Sequence, residues 1–328
     1  MKPKVPSIDD AKSAGKTLEG LAIRTPLLKN RFLDELTGAN VFIKPESLQH
    51  TGSFKFRGAY NAISNLDISV RKTGIVASSS GNHAQGVALA AKLFAVPATI
   101  LMPADAPRLK VERTKAHGAK VVFYDRAKED RDAKAAEIVA ETGGAYIHPF
   151  DNFHVIAGQA TVGLEVVSDL KGVGASLDRF LVCTGGGGLT AGMTLALKDT
   201  FPNCAVHPVE PRGFDDYRRS LLSGKREINR QTAGSVCDAI ITPQPGEIGF
   251  EINSRLLSEG LVISDDEALE AVRFAYHELK LVVEPGGAAA LAGLLAAGKK
   301  WQGETIGIVL SGGNIDPDLF ARAIAKQT

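Results

Sequence analysis

The sequence predicts a parallel α/β protein, and three observations carry that prediction. Short β-branched runs alternate with Ala- and Leu-rich stretches, the pattern of strands buried between helices. One run, Phe180 to Thr184, passes straight into four glycines and then a helical stretch, which reads as strand, turn, helix. Another is followed by Ala84, Gly86, Ala88, Ala90 and Ala91, small residues that let a helix lie close on a sheet.

Taken in order, 74–78 reads as a buried strand and 83–94 as the helix after it. Further strands are expected at 98–102, 120–124 and 145–148, separated by helices near 110–116 and 132–141. A strand at 180–184 precedes a helix near 190–198, and later strands fall at 205–209 and 306–310. Ser264 with Glu267 three residues on is a capping box, so a helix is expected over 266–279. No repeat, low-complexity tract or long linker breaks the chain.

The composition is that of a soluble globular protein with ample core: 328 residues, 44% hydrophobic and 23% charged. A formal net charge of +1 with scattered basic residues leaves no footprint for nucleic acid. The polar first 16 residues lack an apolar signal core, and no stretch approaches the roughly 20 apolar residues that span a bilayer. Cys183, Cys204 and Cys237 are odd in number and lack metal spacing, so reduced structural thiols in the cytoplasm are expected. The histidines show no paired zinc spacing, and no G-x-S-x-G elbow occurs.

Five segments carry the chemistry. Lys55 lies in Ser53-Phe54-Lys55-Phe56-Arg57-Gly58-Ala59; the others are Ser78-Ser79-Ser80-Gly81-Asn82-His83, Gly185-Gly186-Gly187-Gly188, Glu284-Pro285-Gly286-Gly287 and Ser311-Gly312-Gly313-Asn314. A buried lysine can form a Schiff base with an aldehyde, and desolvation makes its amine a usable base. Glycines between a strand and a helix let backbone N–H groups converge on an anion at the helix's positive end. The spacing is not the G-x-G-x-x-G of a dinucleotide site. Together these features suggest a lysine-bound aldehyde cofactor with a phosphate tail.

In order and residues the five segments resemble the fold-type II pyridoxal-phosphate enzymes, in the serine/threonine dehydratase and serine racemase branch, from Leu21 to Phe320. The resemblance implies a two-domain architecture of mostly parallel open sheets flanked by helices. A small domain over 74–143 is set within a large domain of 1–73 and 144–328, with the cofactor between them. No C-terminal regulatory domain is expected, since the chain ends soon after Asn314.

The resemblance also implies roles. Lys55 anchors pyridoxal 5'-phosphate and takes the α-proton; Phe54 packs on the ring and Asn82 meets its hydroxyl. Gly185, Gly186, Gly187 and Gly188 hold the phosphate, and Ser311 bonds the pyridine nitrogen. Ser79, Ser80, Asn82, His83 and Arg131 take the substrate carboxylate. Glu210, Asp216 and the Phe214 carbonyl resemble a divalent-cation loop, for which Mg²⁺, Ca²⁺ or Mn²⁺ suits the oxygen ligands. A homodimer is expected, as is common among such enzymes.

The function expected is a pyridoxal-phosphate-dependent dehydratase or ammonia-lyase. It converts a small 3-hydroxy amino acid (threonine, serine or a hydroxylated aspartate) to a 2-oxo acid and ammonia. Ser80 keeps a second reading open: a hydroxyl on the face opposite Lys55 gives an amino-acid racemase with two bases. A non-catalytic cofactor-binding protein stands further off, because Lys55, Asn82 and Ser311 are all in place; so does a cysteine-synthase-type replacement enzyme, because the loop Ser78 to His83 resembles the dehydratase version.

Overall fold

The computed structural model describes residues 3–79, 81–106, 108–125 and 128–325. Among the described residues nine strands alternate with helices: β1 (Asn40–Pro45), β2 (Ile75–Ser78), β3 (Ala98–Pro103), β4 (Lys120–Tyr124), β5 (Ala145–Tyr146), β6 (Arg179–Cys183), β7 (Ala205–Pro211), β8 (Leu261–Ile263) and β9 (Thr305–Leu310). They form two sheets, one of order β1-β9-β6-β7-β8 and one of order β4-β3-β2-β5. Every pairing within these sheets is parallel. The strands are β-branched runs with little polar alternation, as parallel strands covered on both faces require.

The larger sheet packs on the helix Pro285–Ala297, whose Ala288, Ala289, Leu291 and Leu294 share a core with Leu181, Val209, Ile306 and Ile308. Proline at the first position suits that helix, where a missing N–H leaves nothing unpaired. The smaller sheet packs on the helix Asn82–Leu93 through Val87, Ala88 and Ala91 against Ile75, Ala77 and Ile100. Phe56, Ala59 and Ile63 of the helix Lys55–Ser64 complete that core. Phe56 is wholly buried, and its truncation to alanine would cost about 4 kcal/mol.

The helix Lys55–Ser64 also crosses the 20-residue helix Phe153–Gly172 at backbone contact. A Cβ on Gly158 would lie 2.7 Å from the Arg57 carbonyl, so only glycine permits this approach. Arg57 is fixed beside it by a buried ion network. Its guanidinium donates to both Glu46 oxygens at 2.8 Å and to Glu165 at 2.6 Å, while Lys44 donates to Glu165 at 2.6 Å. Half of the lysine segment is thus structural, holding the first turn of the helix that starts at Lys55.

Two expected elements differ. The helix placed at 266–279 is Asp265–Phe274, capped by Ser264 and Glu267 as anticipated, followed by a widened π turn Ala275–Leu279. That turn stops at Lys280, whose backbone is left-handed (φ 59), and Leu281 N–H closes back on the Ala275 carbonyl at 3.0 Å. The strand placed at 145–148 shortens to Ala145–Tyr146. His148 turns the chain away, because its Nδ1 accepts from Asp151 N–H at 2.8 Å.

Candidate active site

Parallel strands put their carboxyl ends on one edge, and there the functional loops meet. Leu181 of β6 lies opposite Ile308 of β9, so the tetraglycine turn and Ser311 leave adjacent strands side by side. The lysine segment is stitched to the second of these: Ser53 bridges Gly312, and Phe54 N–H donates to the Ser311 carbonyl at 3.2 Å. A small cavity is bounded by Phe54, Lys55, Asn82, Phe150, Gly185, Gly186, Gly187, Gly188 and Ser311. Residues from both sheets therefore close on one space.

The Lys55 amine donates to the Pro149 carbonyl at 2.7 Å and sits 5.1 Å from the centre of the Phe54 ring. Burial pushes its pKa down to about 8, against the pull of the Glu284 charge. Neutral amine is therefore present near neutral pH, which a base or nucleophile requires.

Asn82 begins the helix Asn82–Leu93 and has both amide ends engaged. Its Nδ2 donates to Glu284 Oε1 at 2.6 Å, and its Oδ1 accepts from Asn314 Nδ2 at 2.8 Å. Glu284 is buried, its Oε2 has no partner, and burial raises its carboxyl to about 6.

The tetraglycine turn needs its glycines. Gly187 has φ +84, and a Cβ there would fall 1.8 Å from the Tyr217 hydroxyl oxygen. On Gly186 a Cβ would meet the Phe150 ring at 2.3 Å. The helix Gly188–Thr200 starts here without a side-chain cap, so its first N–H groups face the cavity's end with the dipole behind them.

Of the remaining predicted residues, Ser79, His83 and Arg131 do not line this cavity. Ser79 accepts from Gly81 N–H at 3.2 Å, in the turn that opens the helix Asn82–Leu93. Ser80 lies outside the described residues. Burial, with the Lys55 charge adding, pushes His83 down to about 3, so the ring is neutral. Its Nε2 donates to the Ile147 carbonyl at 2.9 Å, leaving Nδ1 a bare lone pair. That side chain offers a carboxylate no proton; the main-chain N–H groups of the helix's first turn do. Arg131 is half-exposed and pairs with neighbouring Asp132 at 2.8 Å, away from the cavity wall. His148, held by burial at about 4, feels the charges of both Arg131 and Lys55.

Glu210 and Asp216 are buried together at the end of β7. Glu210 accepts from Tyr217 N–H at 2.7 Å and Arg218 N–H at 2.8 Å; Asp216 Oδ1 accepts from Asn229 at 2.6 Å, while Oδ2 is buried without a partner. Burial raises both carboxyls, and the Asp216 charge raises Glu210 further. Phe214 is buried in the same turn. Among the described residues no group of three or more His, Cys, Asp and Glu side chains gathers as a metal site.

The sequence model of the family described as "Pyridoxal-phosphate dependent enzyme" matches residues 18–312. The chain belongs to that family. An L-threo-3-hydroxyaspartate ammonia-lyase from Pseudomonas sp is 43% identical over 315 residues, 96% of this chain and 97% of that protein. The serine racemase of Schizosaccharomyces pombe is 39% identical, over 98% of each chain. Among solved structures, the threonine deaminase of T.th. has a TM-score of 0.89 at 40% identity, covering 95% of this chain and 99% of its own.

Pyridoxal phosphate fits the groups present. A partly neutral buried amine faces a cradle that a Cβ would fill, at an uncapped helix start suited to a dianion. Between them, Ser311 and Asn82 supply polar groups and Phe54 a ring face.

For this pyridoxal-phosphate-dependent enzyme, sequence reasoning left Glu284 without a role, although its Glu-Pro-Gly-Gly segment was visible. Phe150 and Tyr217, which shape the glycine turn from two sides, carried no sequence signal.

Proposed function

We propose that this enzyme is an ammonia-lyase for small 3-hydroxy amino acids, releasing the matching 2-oxo acid and ammonia. The observation that carries the reading is the Lys55 amine, depressed to about 8 and sharing one cavity with the tetraglycine turn. Relatives of this length named for hydroxyaspartate and serine chemistry support the substrate class. Bound here, pyridoxal phosphate supplies an aldehyde for amine capture and a ring that withdraws electrons from the substrate α-carbon.

The chain's own residues do the rest. The Lys55 amine takes the α-proton and holds it, its acidity being matched to neutral pH. N–H groups of the turn from Ser79 to His83 hold the α-carboxylate, with Ser80 in that turn. The glycine turn would hold the phosphate, Ser311 would bond the ring nitrogen and Asn82 the ring oxygen, and Phe54 would pack on the ring. Loss of the β-hydroxyl and hydrolysis of the resulting enamine give the 2-oxo acid and ammonia, so serine yields pyruvate.

Glu210, Asp216 and the Phe214 carbonyl are proposed to hold Mg²⁺, Ca²⁺ or Mn²⁺. The unpartnered Asp216 Oδ2 and the raised pKa of both carboxyls suit a site for a positive charge. A small domain over 74–143 within a large one of 1–73 and 144–328 is supported by the smaller sheet, whose edge strand β5 carries it past 143 to Tyr146. Phe32 and Leu36, exposed one turn apart on the helix Arg31–Thr37, support a homodimer. Three free, buried cysteines suit a cytoplasmic setting, and no helix among the described residues is long and apolar enough to cross a membrane.

A racemase is the second reading, favoured by the Schizosaccharomyces pombe relative. It needs Ser80 as a base on the face opposite Lys55. A panel of L- and D-3-hydroxy amino acids, assayed for 2-oxo acid and for the other enantiomer, tests both. Release of no 2-oxo acid from any L-substrate by cofactor-loaded protein rules out the lyase.

A further inference from the structure

We infer that Tyr217 and Asn253 aim the tetraglycine turn, and that they pass the state of the Glu210–Asp216 pair on to the hold on the cofactor phosphate. The inference rests on the reading that this turn binds that phosphate. Tyr217 and Asn253 are fully buried and stand behind the turn, not in the cavity wall. The Tyr217 hydroxyl donates to the Gly186 carbonyl at 3.4 Å, and Gly246 N–H donates to the same oxygen at 3.0 Å. Asn253 Nδ2 donates to the Gly187 carbonyl at 3.3 Å and to the Tyr217 hydroxyl at 3.2 Å.

A trans peptide points its C=O and N–H in opposite directions. Pinning the carbonyls of Gly186 and Gly187 from behind therefore turns the N–H groups of Gly187 and Gly188 toward the cavity. Without those pins a run of glycines has no preferred direction, since its backbone is the freest of any residue's.

One bonded path connects the acidic pair to this arrangement, and a second runs to the cavity wall. Glu210 accepts from the N–H groups of Tyr217 and Arg218, so its carboxylate sets the first turn of the helix Asp216–Ser223 that carries the tyrosine. Asp216 accepts from Asn229, whose amide also donates to the Thr242 carbonyl at 2.8 Å, and Thr242 lines the cavity. A cation drawn to the pair would stiffen both paths at once.

The test compares binding of pyridoxal phosphate and of pyridoxal, which lacks the phosphate, to cofactor-depleted full-length protein with and without Mg²⁺. Tyr217→Phe keeps the ring and its packing, and Asn253→Ala removes the second pin. Each variant should bind pyridoxal phosphate about five-fold more weakly, the net effect of one hydrogen bond, and pyridoxal as the wild type does. Mg²⁺ should tighten pyridoxal phosphate in the wild type and have a smaller effect in Tyr217→Phe. A shifted ³¹P resonance of the bound phosphate in Tyr217→Phe would support the aiming role directly. Unchanged pyridoxal phosphate affinity in both variants, or equal weakening of both ligands, overturns it. Wild-type affinity indifferent to Mg²⁺ overturns the coupling. Wild-type protein that takes up no pyridoxal phosphate would instead overturn the underlying function.

Discussion

Glu284→Gln should leave the fold intact and make its stability less dependent on pH between 4 and 7. Glu284 is buried with one oxygen unpartnered, and burial lifts its carboxyl from an ordinary 4.5 to about 6. A folded-state pKa above the unfolded value means that the native protein holds the proton more tightly. Stability is therefore lost as pH rises from 4.5 through 6, and this penalty is absent below 4.5. The shift of about 1.5 units corresponds to about 2 kcal/mol at pH 7. Glutamine can still accept from Asn82, but its new NH₂ group takes the place of the unpartnered oxygen and costs about 1–3 kcal/mol at every pH. The informative quantity is therefore a difference of differences. Relative to wild type, the variant should be about 2 kcal/mol better off at pH 7 than at pH 4. Urea unfolding of the cofactor-free protein at both pH values measures it, read from midpoints at constant slope. The same stability difference at both pH values would refute the assignment of a raised carboxyl to Glu284.

Four further outcomes are expected. Lys55→Ala should abolish the cofactor's bound absorption band and nearly all turnover, and borohydride fixation at another lysine would exclude Lys55 as the anchor. Gly187→Ala, forced to φ +84 and against Tyr217, should weaken pyridoxal phosphate retention strongly; wild-type retention would place the phosphate elsewhere. Adding Mg²⁺ at about 100 times its dissociation constant should stabilise the protein by about 2.7 kcal/mol and raise Tm by several degrees. A melting curve indifferent to chelator and metal would count against the Glu210–Asp216 site. Ser80→Ala should remove racemisation while elimination from L-substrates continues, and loss of both would give Ser80 a part in elimination too.

The sequence alone determined the parallel α/β class and the five segments that carry the chemistry. These are local properties: β-branched runs, a capping box at Ser264 and Glu267, and four glycines between a strand and a helix. It did not reveal the helix Phe153–Gly172, twelve of whose residues are buried. That helix has a local start signal in its Asn152 cap, but its close contact with Gly58 is information that lies far along the chain. The site divides in the same way. Lys55, Asn82, the glycines and Ser311 were legible because each sits in a distinctive segment. Tertiary structure alone decided that Arg57 is a structural anchor, that His83 is neutral with its side chain spent on Ile147, and that Glu284 backs Asn82. It also decided that Tyr217, next to Asp216 in sequence, stands behind the glycine turn. Burial and partners from distant segments set the charge of each of these groups, and no local pattern of residues encodes either.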